Sequence, residues 1–194
     1  GRTYERENDF SAAKKEYQKI IDQYKSSAYY PKALLQLGLI HYNMSDYGNS
    51  LKYYKEVAED FGGTQEAQSA LVGIRNCYME MNNIEGYFTY ANKLGTGPNV
   101  TVSEKDSLTW LAAEKLFMAN DPGAPAALRR YLEQYPEGSF VLNARFYLAE
   151  SLYQQGKYSE SLGHYLHVSG QPVNLFSETS YAKASELLYN AGRY

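Results

Sequence analysis

The sequence predicts an all-α solenoid of stacked helical hairpins, about ten helices in five repeats. Three observations predict it: a period of 36 to 37 residues, apolar residues at helical spacing within each period, and no sustained alternation of β-branched residues. Shifted by 37 residues, the first half falls on itself: Tyr4, His41 and Tyr78 align, as do Phe10, Tyr47 and Ile84, and Tyr17, Tyr54 and Ala91. At a shift of 36 the second half does the same, with Ala113, Ala149 and Ser185, Leu116, Leu152 and Leu188, and Phe117, Tyr153 and Tyr189 in line.

Taken in order, the units fall at roughly 1–27, 28–63, 64–101, 102–137 and 138–172, with a partial one at 173–194. In the first, Tyr4 to Asn8 match only the tail of an opening helix. In the second, Ala33, Leu34, Leu37, Ile40 and His41 share a helix face; after a turn at Ser45-Asp46, Leu51, Tyr54, Val57 and Ala58 share another. The third unit copies this pattern and ends in Gly95-Thr96-Gly97-Pro98-Asn99, read as a loop because no strand precedes it and no lysine follows at phosphate-loop spacing. In the fourth, Ser103 with Asp106 forms a capping-box pattern ahead of Leu108 to Met118, and the turn Asn120 to Pro125 absorbs a two-residue drift in the period. Pro136 and Gly138 then separate Leu128–Tyr135 from the helix beginning near Phe140. Tyr78 to Leu116 is 38 residues, so the register survives the 95–99 loop and residues 1–194 read as one continuous array. Both ends stop inside a repeat, where a solenoid needs polar caps, so the chain reads as a piece of a longer repeat protein.

Composition narrows the function classes. The 194 residues carry a formal charge of -3 with 44% hydrophobic residues, enough apolar content for a core and too little basic surplus for phosphate-backbone binding. No apolar run approaches the twenty or so residues that a membrane-spanning helix needs. Cys77 is the sole cysteine, which excludes an internal disulfide and any zinc site built from cysteine pairs. Its neighbours offer no thiol activation, so it reads as a small buried filler. His164 and His167 share a helix face, yet the adjacent residues supply no further ligands, and His41 takes the place of an aromatic and reads as packing. Glu104 and Asp106 fit charge complementarity at a helix N-terminus better than acid–base chemistry. No catalytic constellation, metal site or cofactor is expected, and the chain reads as non-enzymatic.

The paired-helix unit resembles the tetratricopeptide repeat. The residues that carry the likeness are Leu37-Gly38 and Leu148-Ala149 in first helices, the turn aromatics Asp46-Tyr47 and Lys157-Tyr158, and Ser50 with Tyr54 and Ser161 with Tyr165 in second helices. Arg75 and Ala124 depart from the pattern, at a small position and a turn aromatic respectively. The link Tyr135-Pro136-Glu137-Gly138-Ser139-Phe140 is similar to that of bacterial envelope repeat proteins of the Tol–Pal coordinator and barrel-assembly lipoprotein type. Tyr24 to Tyr29 and Phe61 to Thr64 look like weaker copies. That resemblance implies a right-handed α–α superhelix and favours a periplasmic or outer-membrane-associated setting.

It also implies that first helices line an inner wall where a protein or peptide partner docks. Projecting the helical period inward selects Leu35, Leu39 and Tyr42, then Val72, Asn76 and Met79. Next come Trp110, Glu114 and Phe117, and then Asn143, Phe146, Glu150 and Tyr153. Aromatic anchors suit such a wall. The lysine–asparagine–arginine clamp of co-chaperone repeats is missing, with only Lys32 and Asn76 as isolated polar residues. The expected function is an adaptor in a bacterial envelope complex. The alternatives are a self-associating array, or a glycan- or small-molecule-binding protein using the aromatic wall.

Overall fold

The computed structural model describes residues 10–95 and 100–192, and among them it holds ten α-helices and no strand. Two compact units divide the chain at Val100 and Thr101. The first contains α1 (Phe10–Gln23), α2 (Tyr30–Asn43), α3 (Tyr47–Asp60), α4 (Gln65–Glu80) and α5 (Ile84–Leu94). The second contains α6 (Val102–Met118), α7 (Ala124–Gln134), α8 (Val141–Gln154), α9 (Tyr158–Ser169) and α10 (Ser177–Asn190). Within each unit consecutive helices pack together, and the opening helices of neighbouring hairpins also touch, α2 with α4 and α6 with α8. The expected all-α repeat fold is what forms. Tyr4 to Asn8, Thr96 to Asn99 and Tyr194 lie outside the described residues.

The backbone writes the repeat period at its turns. Ser45, Asn82, Asn120, Gly156 and Gly192 have φ of 59°, 51°, 52°, 72° and 66°, and they stand 37, 38, 36 and 36 residues apart. Each ends an opening helix. The amide of the left-handed residue donates three residues back, as Ser45 does to Tyr42, Asn82 to Met79, Asn120 to Phe117 and Gly156 to Tyr153. The following amide donates five back, from Asp46 to His41, Asn83 to Tyr78, Asp121 to Leu116 and Lys157 to Leu152. This closes the last carbonyls of the helix and reverses the chain in very few residues. In two repeats the same residue starts the next helix: the side chains of Asp46 and Asn83 accept from the amides of Asn49 and Gly86.

Small residues and a tyrosine then set the helix spacing. The Tyr54 ring lies between Gly38 of α2 and Gly73 of α4, so close that a Cβ on either would come within 2.5 Å or 2.4 Å of ring carbons. The next repeat's glycine, and not the Arg75 position, supplies this second contact. Ser50 Oγ donates to the Gly38 carbonyl at 2.8 Å and accepts from Cys77 Sγ at 3.2 Å, which ties the hairpin to its neighbour. In the second unit Ser161 Oγ repeats the bond to the Ala149 carbonyl at 2.8 Å, and Tyr165 packs with Ala149 and Ala184. Alanine there takes the place that glycine holds in the first unit. Cys77 is therefore buried filler, as expected, and its thiol is pushed up chiefly by burial.

The start of α6 differs from expectation. Thr101, not Ser103, is the cap, accepting from the Glu104 amide at 3.1 Å, and Ser103 already lies inside the helix. Asp106 is no surface charge at a helix end. Only 6% exposed, it accepts from Tyr131 Oη at 2.6 Å and from the Ser139 amide at 2.8 Å, while Tyr131 Oη accepts from the Phe140 amide at 3.0 Å. A Cβ on Gly138 would stand 2.6 Å from Tyr131 Oη and 2.8 Å from Asp106 Oδ1. The Tyr135–Phe140 link is thus shaped by a buried carboxylate satisfied on both oxygens, which keeps its burial affordable. Burial first, and then the Asp106 bond, pushes the Tyr131 phenol well above its ordinary value.

Candidate functional site

In the first unit the expected wall residues lie on α2 and α4 at equivalent places. Leu35, Leu39 and Tyr42 run along one face of α2 at i, i+4 and i+7; Val72, Asn76 and Met79 do so on α4, 37 residues later. Leu39 is 44% exposed and Val72 49%, Asn76 is exposed, and Leu35, Tyr42 and Met79 are half-buried. The Tyr42 ring leans on Tyr47 at 5.5 Å, and burial first, then the nearby Glu80, raises its phenol. Lys32 of α2 and Glu66 of α4 pair at 3.8 Å near the starts of these helices. The result is two adjacent helices that each offer an aliphatic side chain to solvent, Leu39 from α2 and Val72 from α4.

In the second unit the equivalent residues serve packing to a larger extent. Trp110 is 3% exposed, which removes it from an open wall. Its indole stacks on Phe140 at 5.4 Å and 6°, and lies against Tyr147 and Tyr131 at 5.5 Å and 5.8 Å. The reason is local: Phe140 and Tyr147 cover it, whereas Val72 stays 49% exposed. Phe117 stacks on Tyr147 at 4.2 Å, and Phe146 on Phe176 at 4.4 Å, so both are half-buried members of one aromatic seam. Tyr153 donates to Glu186 at 2.8 Å under the Lys183 ammonium, which sits 4.0 Å from its ring centre. Glu150 accepts from Tyr165 Oη at 2.6 Å. Asn143 and Glu114 are half-buried, while Leu111 and Met118 of α6 stand exposed.

Sequence reasoning missed Phe140, Tyr147 and Phe176, which join Trp110, Phe117 and Phe146 into the seam. Phe140 and Phe176 are 36 residues apart, each immediately before an opening helix, and that spacing was the available signal. His41 is 4% exposed, bonded through Nδ1 to Asp46 Oδ2 at 2.8 Å and packed on Tyr53 at 5.4 Å, in keeping with a packing role. Among the described residues no group of three or more histidine, cysteine, aspartate or glutamate side chains could hold a metal ion, and no helix is long and apolar enough to cross a membrane.

Comparison with known proteins adds the following. The crystal structure of YrrB, described as a tetratricopeptide repeat protein with an unusual peptide-binding site, is similar at a TM-score of 0.41 and 18% identity, over 91% of this chain and 84% of that one. No curated protein matches the chain. The tetratricopeptide repeat model matches residues 1–27 and 32–64. Those two segments are similar to tetratricopeptide repeats, and the described hairpins that follow them reuse the left-handed turn seen at Ser45.

Proposed function

We propose that the protein is a non-enzymatic interaction scaffold whose α2–α4 face receives an apolar segment of a partner protein. The observation that carries this reading is the pair Leu39 and Val72, 44% and 49% exposed on the corresponding faces of two touching helices. Half-buried Leu35, Tyr42 and Met79 extend the strip, and the Lys32–Glu66 pair and Glu80 supply polar edges. Helices fixed by their own turns and glycine contacts lose little freedom on binding, so a short strip can give useful affinity. An amphipathic helix or extended peptide with alternating apolar anchors fits such a surface.

Selection of displayed 15-residue peptides on the intact chain tests this reading. Enriched peptides should be apolar on one face, and their binding should shift backbone amide resonances of α2 and α4. Enrichment of peptides that perturb neither helix would remove the proposal. The bacterial envelope setting rests on the resemblance of the Tyr135–Phe140 link, whose residues are already occupied by the Asp106–Tyr131 bonds.

A second reading, self-association, is favoured by exposed side chains before and along α10. Val173 and Leu175 are 95% and 90% exposed, and Tyr181 and Tyr189 of α10 are 58% and 73% exposed. Tyrosines with an apolar ring and a polar tip suit a contact between copies. Sedimentation velocity at rising concentration should then show a dimer that Tyr181→Lys abolishes; a monomer throughout would sink it.

A further inference from the structure

Three helices of the second unit bring cationic side chains together, apart from the strips described above. On α9, Glu160, His164 and His167 follow one another at i, i+4 and i+7 and share a face. Arg129 of α7 reaches that face and donates to Glu160 Oε2 at 2.6 Å, so that carboxylate is already paired. Arg145 of α8 acts on both histidines, and Arg129 acts on His164. Two atoms in this cluster are buried without a protein partner, Arg145 Nε and His164 Nδ1. A buried guanidinium N–H with no acceptor is costly, because it loses water and gains nothing in return.

We propose that Arg145, His164 and His167, with Arg129 at the edge, form a binding site for a phosphate-type oxyanion. An oxyanion supplies what the cluster lacks: acceptors for the Arg145 N–H and for protonated imidazoles, and a negative charge among guanidiniums. The groups facing His164 are Arg145 from α8, Arg129 from α7, and His167 and Glu160 from its own helix. α10 also packs on α9, and no charged group of that helix acts on either imidazole. Burial first, then Arg145, holds both imidazoles below their ordinary value of 6.5. At neutral pH the rings are therefore neutral and the guanidiniums carry the charge. As pH falls through those lowered values the rings gain protons, and oxyanion binding tightens. By linkage the bound anion raises both histidine values.

The test is a proton NMR titration of the three histidines in the intact chain, with inorganic phosphate against chloride at matched ionic strength. Phosphate should raise the titration midpoints of His164 and His167 saturably, by roughly half a pH unit or more, and leave His41 unmoved. Without phosphate, Arg145→Gln should itself raise both midpoints by removing a repelling charge, and it should abolish the further response to phosphate. Equal movement of all three histidines, no movement, or an undiminished phosphate response in Arg145→Gln would each overturn the site. Should that variant fail to fold, His167→Gln, at an exposed position, carries the test. It should weaken the phosphate response of His164, and an unchanged response would overturn the proposal.

Discussion

At the scale of single residues, close contacts around Tyr54 give the sharpest expectation. Alanine at Gly38 or Gly73 places a methyl inside the ring's van der Waals surface, and overpacking of this kind costs about 1–3 kcal/mol. Gly48 of α3 has nothing within 4 Å of its would-be Cβ, so Gly48→Ala should be neutral or stabilise by up to about 1 kcal/mol. Urea midpoints for the three variants check this, and equal midpoints for Gly38→Ala and Gly48→Ala would discard the sandwich. Trp110→Ala should behave as a core truncation, losing about 3–5 kcal/mol of stability. Thermal unfolding reads that loss directly. Asp46 supplies a pH dependence. The Asn49 side-chain bond first, then His41, holds its carboxyl below the ordinary 3.8, so its stabilising contribution is present above pH 3.8 and fades as pH falls through the lowered value. The gap in melting temperature between wild type and Asp46→Ala should therefore close in acid; a gap that persists below that value would contradict the assignment.

Much at this scale was legible, but not all. The Gly38–Tyr54 and Ala149–Tyr165 contacts follow from a small residue and an aromatic recurring at fixed spacing. Asp106 was misplaced because a carboxylate near a helix start invites a surface reading. Yet Asp106, Thr109, Trp110 and Ala113 share one helix face and are all buried, so helical periodicity already placed the acid inward. The Arg145–His164 cluster draws on three helices, and no spacing within one helix reveals it.

At the scale of elements, the turns explain why the period is readable. A left-handed residue must close each opening helix, and it recurs as Ser45, Asn82, Asn120, Gly156 and Gly192. The residue changes from site to site, so composition alone gives only two glycines; an aromatic two residues on marks Ser45, Gly156 and Gly192, and the register marks all five. Gly156→Ala should cost about 1 kcal/mol, because alanine resists φ of 72°. Asn120→Gly should gain a few tenths for the converse reason, at φ of 52°. Paired denaturation curves measure both signs, and a stabilising Gly156→Ala would refute the turn geometry.

For the whole molecule, the two compact units share one construction and differ in what their opening helices expose. In the first, aliphatic residues stand open on α2 and α4. In the second, the aromatics at corresponding places are drawn into the seam around Trp110 and Tyr147. The repeat pattern foretold the positions of these side chains without foretelling which would be covered. Coverage depends on neighbours such as Phe140 and Phe176, which come from other helices. The interaction reading therefore rests on the first unit. Its most direct test is calorimetric titration of a selected peptide into the wild type and into a Leu39→Glu/Val72→Glu variant. Two charges on an apolar strip should weaken binding at least tenfold with the fold intact by circular dichroism, while Asn190→Ala binds as the wild type does. Undiminished affinity in the double variant would show that the α2–α4 face is not where partners dock.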